Sequence, residues 1–139
     1  VSLKATCFQS ASFKDRASAI AVVKAKERGA EIILTKTPIN AQTVADSISA
    51  GLPRDRIKAL AAVNETDGAF ICVEDNDMLG AISELARSTG VFAEPAGAAA
   101  YAGLVKAVEQ QLVSGDETIV VLNTGNGLKN ITGAMRAGV

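Results

Sequence analysis

The chain has 139 residues, 48% of them apolar and 21% charged, with 14 basic against 15 acidic side chains. That is the composition of one globular domain with a core of its own, and not of a disordered tail. The near-zero net charge argues against a nucleic-acid or polybasic membrane surface, and the absence of histidine excludes Ser-His-Asp and Cys-His triads, histidine metal sites and a histidine pH switch.

Short β-rich runs alternate with Ala-rich helical windows, which predicts an α/β chain: a layered, mostly parallel sheet flanked by helices. Ser10 or Ser12 can cap a helix from Phe13, whose Phe13, Ala17, Ile20 and Ala21 share one face, with Gly29 as its C′ residue. Glu31 to Thr35 follows as a buried strand. Asn40 then caps a helix predicted over Ala41–Ala50, stopped by Gly51. The window Pro53 to Val63 supports another helix, with Ile57, Leu60 and Ala61 on one face. Ala69 to Val73 reads as a second buried strand, in which Cys72 is core. Asp75 is the expected N-cap of a helix with the stripe Met78, Leu79, Ile82, Leu85 and Ala86, ended by Gly90. After a brief extended piece at Val91–Ala93, Pro95 suits the first position of a helix reaching about Gln111. Its opening Ala96, Gly97, Ala98, Ala99 and Ala100 allow close packing against a neighbour or a ligand. Gly115 and Asp116 make a turn, and Thr118–Leu122 is the third strand, emptying into Asn123-Thr124-Gly125-Asn126-Gly127.

Cys7 and Cys72 lack CxxC spacing, so no zinc site is expected and both thiols are expected reduced. Glu74, Asp75 and Asp77 read as helix-start acids rather than as a metal cluster, and no EF-hand spacing is present. No apolar run reaches the roughly 18 residues of a spanning helix, and no charged-then-apolar leader opens the chain, so a cytoplasmic protein is expected. The first residue is Val1, which fits a start that is processed or cut from something longer.

Three places could carry chemistry. Lys14 falls in the first turn of a predicted helix, where the positive helix end disfavours an ammonium by a few tenths to about 1 kcal/mol. It is either a solvated lysine or an amine nucleophile with an eased deprotonation. Thr124-Gly125-Asn126-Gly127 follows a strand, where glycines serve a tight turn or the close approach of a ligand; the spacing is neither GxGxxG nor a Walker loop. Glu94 ends an extended piece just before a helix, as an N-terminal charge or as a carboxylate beside a pocket walled by small residues.

In combination these segments say more. SFKDR before an Ala-rich helix, then ADSISAGLPR, GVFAEPAGAAAYAGL and NTGNGLKN, stand in the order found in threonine synthases. Over nearly the whole chain the sequence resembles that family, which belongs to the pyridoxal-phosphate enzymes of the tryptophan-synthase β-like fold, fold type II. The resemblance implies one α/β domain over 1–139, with 1–35 similar to the cofactor-lysine segment and 42–139 to the family's C-terminal segment. It implies pyridoxal 5′-phosphate as cofactor, held as a Schiff base by Lys14, with Thr124 and the adjoining Gly125 at the pyridine nitrogen and Glu94 beside the ring. The implied reaction converts O-phospho-L-homoserine and water into L-threonine and phosphate. The implied partners are a small amino-acid phosphate and a second copy of the chain, without metal, nucleic acid or membrane. Arg54, Ser47 and Thr43 lie in the region nearest the substrate phosphate by the same resemblance.

The sequence departs from the family between Thr35 and Gln42, where it passes straight to the family's late region. The asparagine-containing turn over the cofactor and the Gly/Asn-rich phosphate loop are both missing, and Asn130 stands where an aspartate is usual. The sequence is thus expected to join two parts of a longer enzyme or to be an internally shortened relative. The alternatives are a related lyase, such as a cysteate synthase or an amino-acid dehydratase, and a non-catalytic remnant of the fold.

Overall fold

The structure, a computed structural model, describes residues 40–52, 56–65 and 68–138. The expectations for Lys14, Cys7, Arg54, the helix from Phe13 and the strand Glu31–Thr35 lie outside the described residues. Four α-helices are present among the described residues: α1 (Arg56–Glu65), α2 (Asp75–Thr89), α3 (Pro95–Glu109) and α4 (Ile131–Arg136). The chain groups into two compact units, one containing Thr43–Ser47, Val73–Leu112 and Val120–Val139, the other containing Ile48–Cys72 and Val113–Ile119.

The first unit is organised by α2 against α3. Helix α2 buries Met78, Leu79, Ala81, Ile82 and Leu85, a stripe that recurs every three or four residues and so faces one way. Gly90 ends it in the left-handed region at φ 75°, its N–H donating to Ala86 O at 3.1 Å. Pro95 opens α3 at a position whose N–H would have no helical partner. The buried face of α3 is made of Ala96, Gly97, Ala98, Ala99, Ala102 and Ala107, which brings its backbone near its neighbours. Helix α4 is capped by Asn130, whose Oδ1 accepts from Gly133 N at 2.7 Å. Its far end is tied to α2 by Ser83, whose hydroxyl donates to Ala137 O at 2.5 Å.

The acids at the start of α2 each have a partner. The N-cap is Glu74, one residue before the expected Asp75, and it forms a capping box with Asp77, whose Oδ2 accepts from Glu74 N at 2.7 Å. Asp75 instead takes up an upstream segment: Thr43 Oγ1 donates to its Oδ1 at 2.5 Å and Val44 N to its Oδ2 at 3.2 Å. Asp77 also meets Lys106 Nζ at 2.6 Å, with the two side chains 35% and 27% exposed. The Lys106 ammonium, and then the Glu74 N–H, hold the Asp77 carboxyl below its ordinary pKa. A lowered folded-state pKa stabilises the fold above the unfolded value, and that contribution is lost as pH falls through the folded one. Lys106→Met should therefore cost roughly 0.5 kcal/mol at neutral pH, the size of a partly exposed pair, and nothing once Asp77 is protonated in both states; urea midpoints across pH measure this.

In the second unit, α1 buries Ala59 completely while Ile57 is 62% exposed and Ala61 is also exposed. The expected apolar face of Ile57 and Ala61 is thus corrected: the close-packed residue is the small one between them. The helix expected over Ala41–Ala50 is a single 3-10 turn, Asp46–Ile48. Thr43 and Asp75 explain this, because their oxygens capture the N–H groups of Ala45 and Val44 that a helix would need.

The expected mostly parallel sheet is not confirmed by the described residues. Among the described residues there is no strand, and the one β pairing is an antiparallel bridge between Ala93 and Asn126. Ala69–Val73 and Thr118–Leu122 carry no ladder. Apolar, β-branched composition favours an extended chain, but a strand exists only where a neighbour takes its N–H and C=O groups. Cys72 and Val73 are nevertheless buried, as core residues should be, whereas Val120 is 80% exposed.

Candidate functional site

The bridge between Ala93 and Asn126 is the base of the site. Glu94 N donates to Gly125 O and Gly127 N donates to Phe92 O, both at 3.0 Å, so residues 92–94 and 125–127 clamp each other just before α3 begins. Ala93, at the centre of the clamp, is fully buried.

Close approach at the clamp depends on missing side chains. A β-carbon on Gly125 would overlap the Glu94 carboxylate and lie 2.8 Å from its Cγ. One on Gly97, in the first turn of α3, would overlap Asn123 Oδ1 and lie 3.1 Å from Gly125 O. One on Gly127 would stand 2.5 Å from the Phe92 ring. The loop 123–127 thus rests on Glu94, on the opening of α3 and on Phe92 at positions where only hydrogen fits.

Polar contacts fix the same loop. Asn123 Oδ1 accepts from Gly125 N at 3.4 Å. Asn126 Oδ1 accepts from Leu128 N at 2.9 Å and so caps the 3-10 turn Gly127–Lys129. From the end of that turn Lys129 Nζ reaches Glu94 Oε1 at 3.7 Å. Glu94 is 6% exposed and is the buried charged residue of the described core. Thr124 is exposed, and no group of the described residues is bonded to its hydroxyl.

Of the residues singled out from the sequence, Glu94 and Gly125 belong to one clamp, and Thr124 directly precedes it. Lys14 lies outside the described residues. Thr43, a candidate for the substrate phosphate, commits its hydroxyl proton to the Asp75 carboxylate, which disfavours an anion there. Ser47 is exposed on the 3-10 turn. The sequence reading missed Phe92, the seating of Asn123 on Gly97, and the pairing of Glu94 with Lys129. The alternating Gly125 and Gly127 were the available signal for two separate close approaches. Among the described residues no group of His, Cys, Asp or Glu could hold a metal ion, and no helix is long and apolar enough to cross a membrane.

Comparison with known proteins gives these residues a context. A family model described as pyridoxal-phosphate dependent enzyme matches residues 28–125. The chain is 41% identical over 109 residues to a threonine synthase of Methanosarcina acetivorans, covering 78% of this chain and 26% of that protein. It is 39% identical over 112 residues to a threonine synthase of Methanocaldococcus jannaschii, covering 81% and 27%. With a threonine synthase of Mycobacterium leprae it shares 36% over 107 residues, covering 77% and 30%. The chain thus spans between a quarter and a third of the length of these relatives.

Proposed function

Because the chain belongs to the pyridoxal-phosphate dependent enzyme family, whose fold is of the α/β class and whose cofactor is pyridoxal phosphate, we propose that it acts as a threonine-synthase-type lyase. The reaction would turn O-phospho-L-homoserine and water into L-threonine and phosphate. The observation that carries the reading is the exposed Thr124 hydroxyl, which no group of the described residues bonds, beside a loop that Gly125 and Gly127 let pack closely onto Glu94 and Phe92.

The described residues fit one edge of the cofactor. A threonine hydroxyl can donate to or accept from a pyridine nitrogen without forcing it to stay protonated, as a carboxylate would. The N-terminal ends of α2 and α3 are occupied by carboxylates of this chain, Glu74, Asp75 and Asp77 on one and Glu94 on the other. Neither is therefore a cradle for the cofactor's phosphate.

When bound, pyridoxal phosphate supplies the electron sink on which carbanion chemistry at an amino acid depends. The protein's part is to hold and orient. Lys14 would hold the cofactor through its amine and, once released by the substrate, carry protons at the substrate's Cα and Cβ. Thr124 would fix the ring-nitrogen edge, and Gly125 would let Glu94 lie against that loop. The homodimer and cytoplasmic location implied by the resemblance belong to the same proposal. Leu128, Ile131 and Met135, exposed by 70%, 53% and 74%, supply apolar surface suited to a second copy.

The chain, loaded with pyridoxal phosphate and given O-phosphohomoserine, should release threonine and phosphate in equal amounts. Release from O-phosphoserine in its place would overturn the substrate in favour of a related lyase. No product from either, with no bound cofactor, would overturn the enzymatic reading in favour of a non-catalytic relative.

A further inference from the structure

We propose that Lys129 is a positioning residue, which through its ion pair with the buried Glu94 carboxylate fixes the Thr124–Gly127 loop and so the Thr124 hydroxyl. The geometric part stands alone; its consequence for the cofactor rests on the function proposed above.

Glu94 touches the loop twice. Its N–H donates to Gly125 O, and its side chain covers the Gly125 Cα so closely that no β-carbon would fit. That side chain is only 8% exposed, and a buried carboxylate is costly unless a cation or donors accompany it. Lys129 Nζ, 3.7 Å from Oε1, is the cation that accompanies it among the described residues. Lys129 ends the turn Gly127–Lys129, which is itself capped by Asn126 from within the loop. Backbone and charge therefore draw Gly125 and Lys129 onto one residue, and Thr124 is bonded directly to the first of these anchors. Without the ammonium the carboxylate gains by turning towards water, which lifts it off Gly125 and loosens the Glu94 N–H bond beneath. The lysine side chain is 64% exposed, so its replacement leaves no cavity in the core.

Amide hydrogen exchange on the full chain without cofactor, paired with a fluorescence titration of pyridoxal phosphate, tests this. In Lys129→Met, the Glu94 and Gly127 amides should exchange about fivefold faster and cofactor affinity should fall about fivefold, as expected of a half-exposed pair. The Gly90 amide, bonded to Ala86 O within α2, should keep its rate and so report an intact fold. Lys129→Arg should restore both values, and Glu94→Gln combined with Lys129→Met should lose no more than either change alone. Unchanged Glu94 and Gly127 exchange in Lys129→Met, or failure of arginine to restore it, would overturn the positioning role. Faster exchange with unchanged cofactor affinity would overturn the link to the cofactor. A wild-type chain that binds no pyridoxal phosphate, yet shows the exchange pattern, would overturn the proposed function while upholding the strut.

Discussion

Gly125→Ala should lower stability by about 1–3 kcal/mol, the cost of forcing an extra methyl into a packed site, and should reduce pyridoxal phosphate affinity by more than any other single methyl added to the loop. The added carbon would overlap the Glu94 carboxylate and press on its Cγ at 2.8 Å. The carboxylate cannot swing aside freely, because it is buried and paired with the Lys129 ammonium. Either Glu94 leaves, exposing the Gly125 carbonyl bond to water, or residues 123–127 shift as a body and carry the Thr124 hydroxyl with them. Gly115→Ala is the control, since nothing lies within 4 Å of a β-carbon there. Urea unfolding and a cofactor titration on both variants measure the effect; equal values for the two would refute the crowding at Glu94.

Ile82→Ala should cost about 3 kcal/mol, a large share of the 5–15 kcal/mol that holds a typical domain. Ile82 is fully buried on the face of α2 that packs with α3. The opposing surface is mostly alanine and glycine, so there are few long side chains to relax into the space left behind. The cost should therefore sit well inside the 2–5 kcal/mol range for such truncations. Ile57→Ala, at a residue 62% exposed, should change the urea midpoint little. Similar losses at both positions would show that the core has been misplaced.

These contrasts indicate what the sequence could reveal. Helices α2 and α3 were legible because each carries its own signals: a stripe from Met78 to Leu85 closed by Gly90, and Pro95 opening an alanine-rich run. Their boundaries depend on residues within the helix or next to it. The turn at Asp46–Ile48 was not legible as such, since the group that undoes the expected helix, Asp75, stands about thirty residues away. The N-cap moved from Asp75 to Glu74 for the same reason: Asp75 is engaged by Thr43 and Val44. Strand character in Ala69–Val73 and Thr118–Leu122 is a property of pairs, and neither segment has a ladder among the described residues. The site divides in the same way. Glu94, Thr124 and Gly125 were recognisable from local motifs and a resemblance. The contacts that hold them, Gly97 under Asn123 and Lys129 beside Glu94, are long-range and leave no spacing to read.

In the proposed function the amine of Lys14 and the hydroxyl of Thr124 would hold the two ends of one pyridoxal phosphate. Borohydride reduction of the chain after incubation with the cofactor, followed by peptide mass spectrometry, tests it most directly. One phosphopyridoxyl group is expected, on the peptide containing Lys14, with a marked loss of that label in Thr124→Val. Label scattered over surface lysines, or label on Lys14 that is indifferent to Thr124, would contradict it.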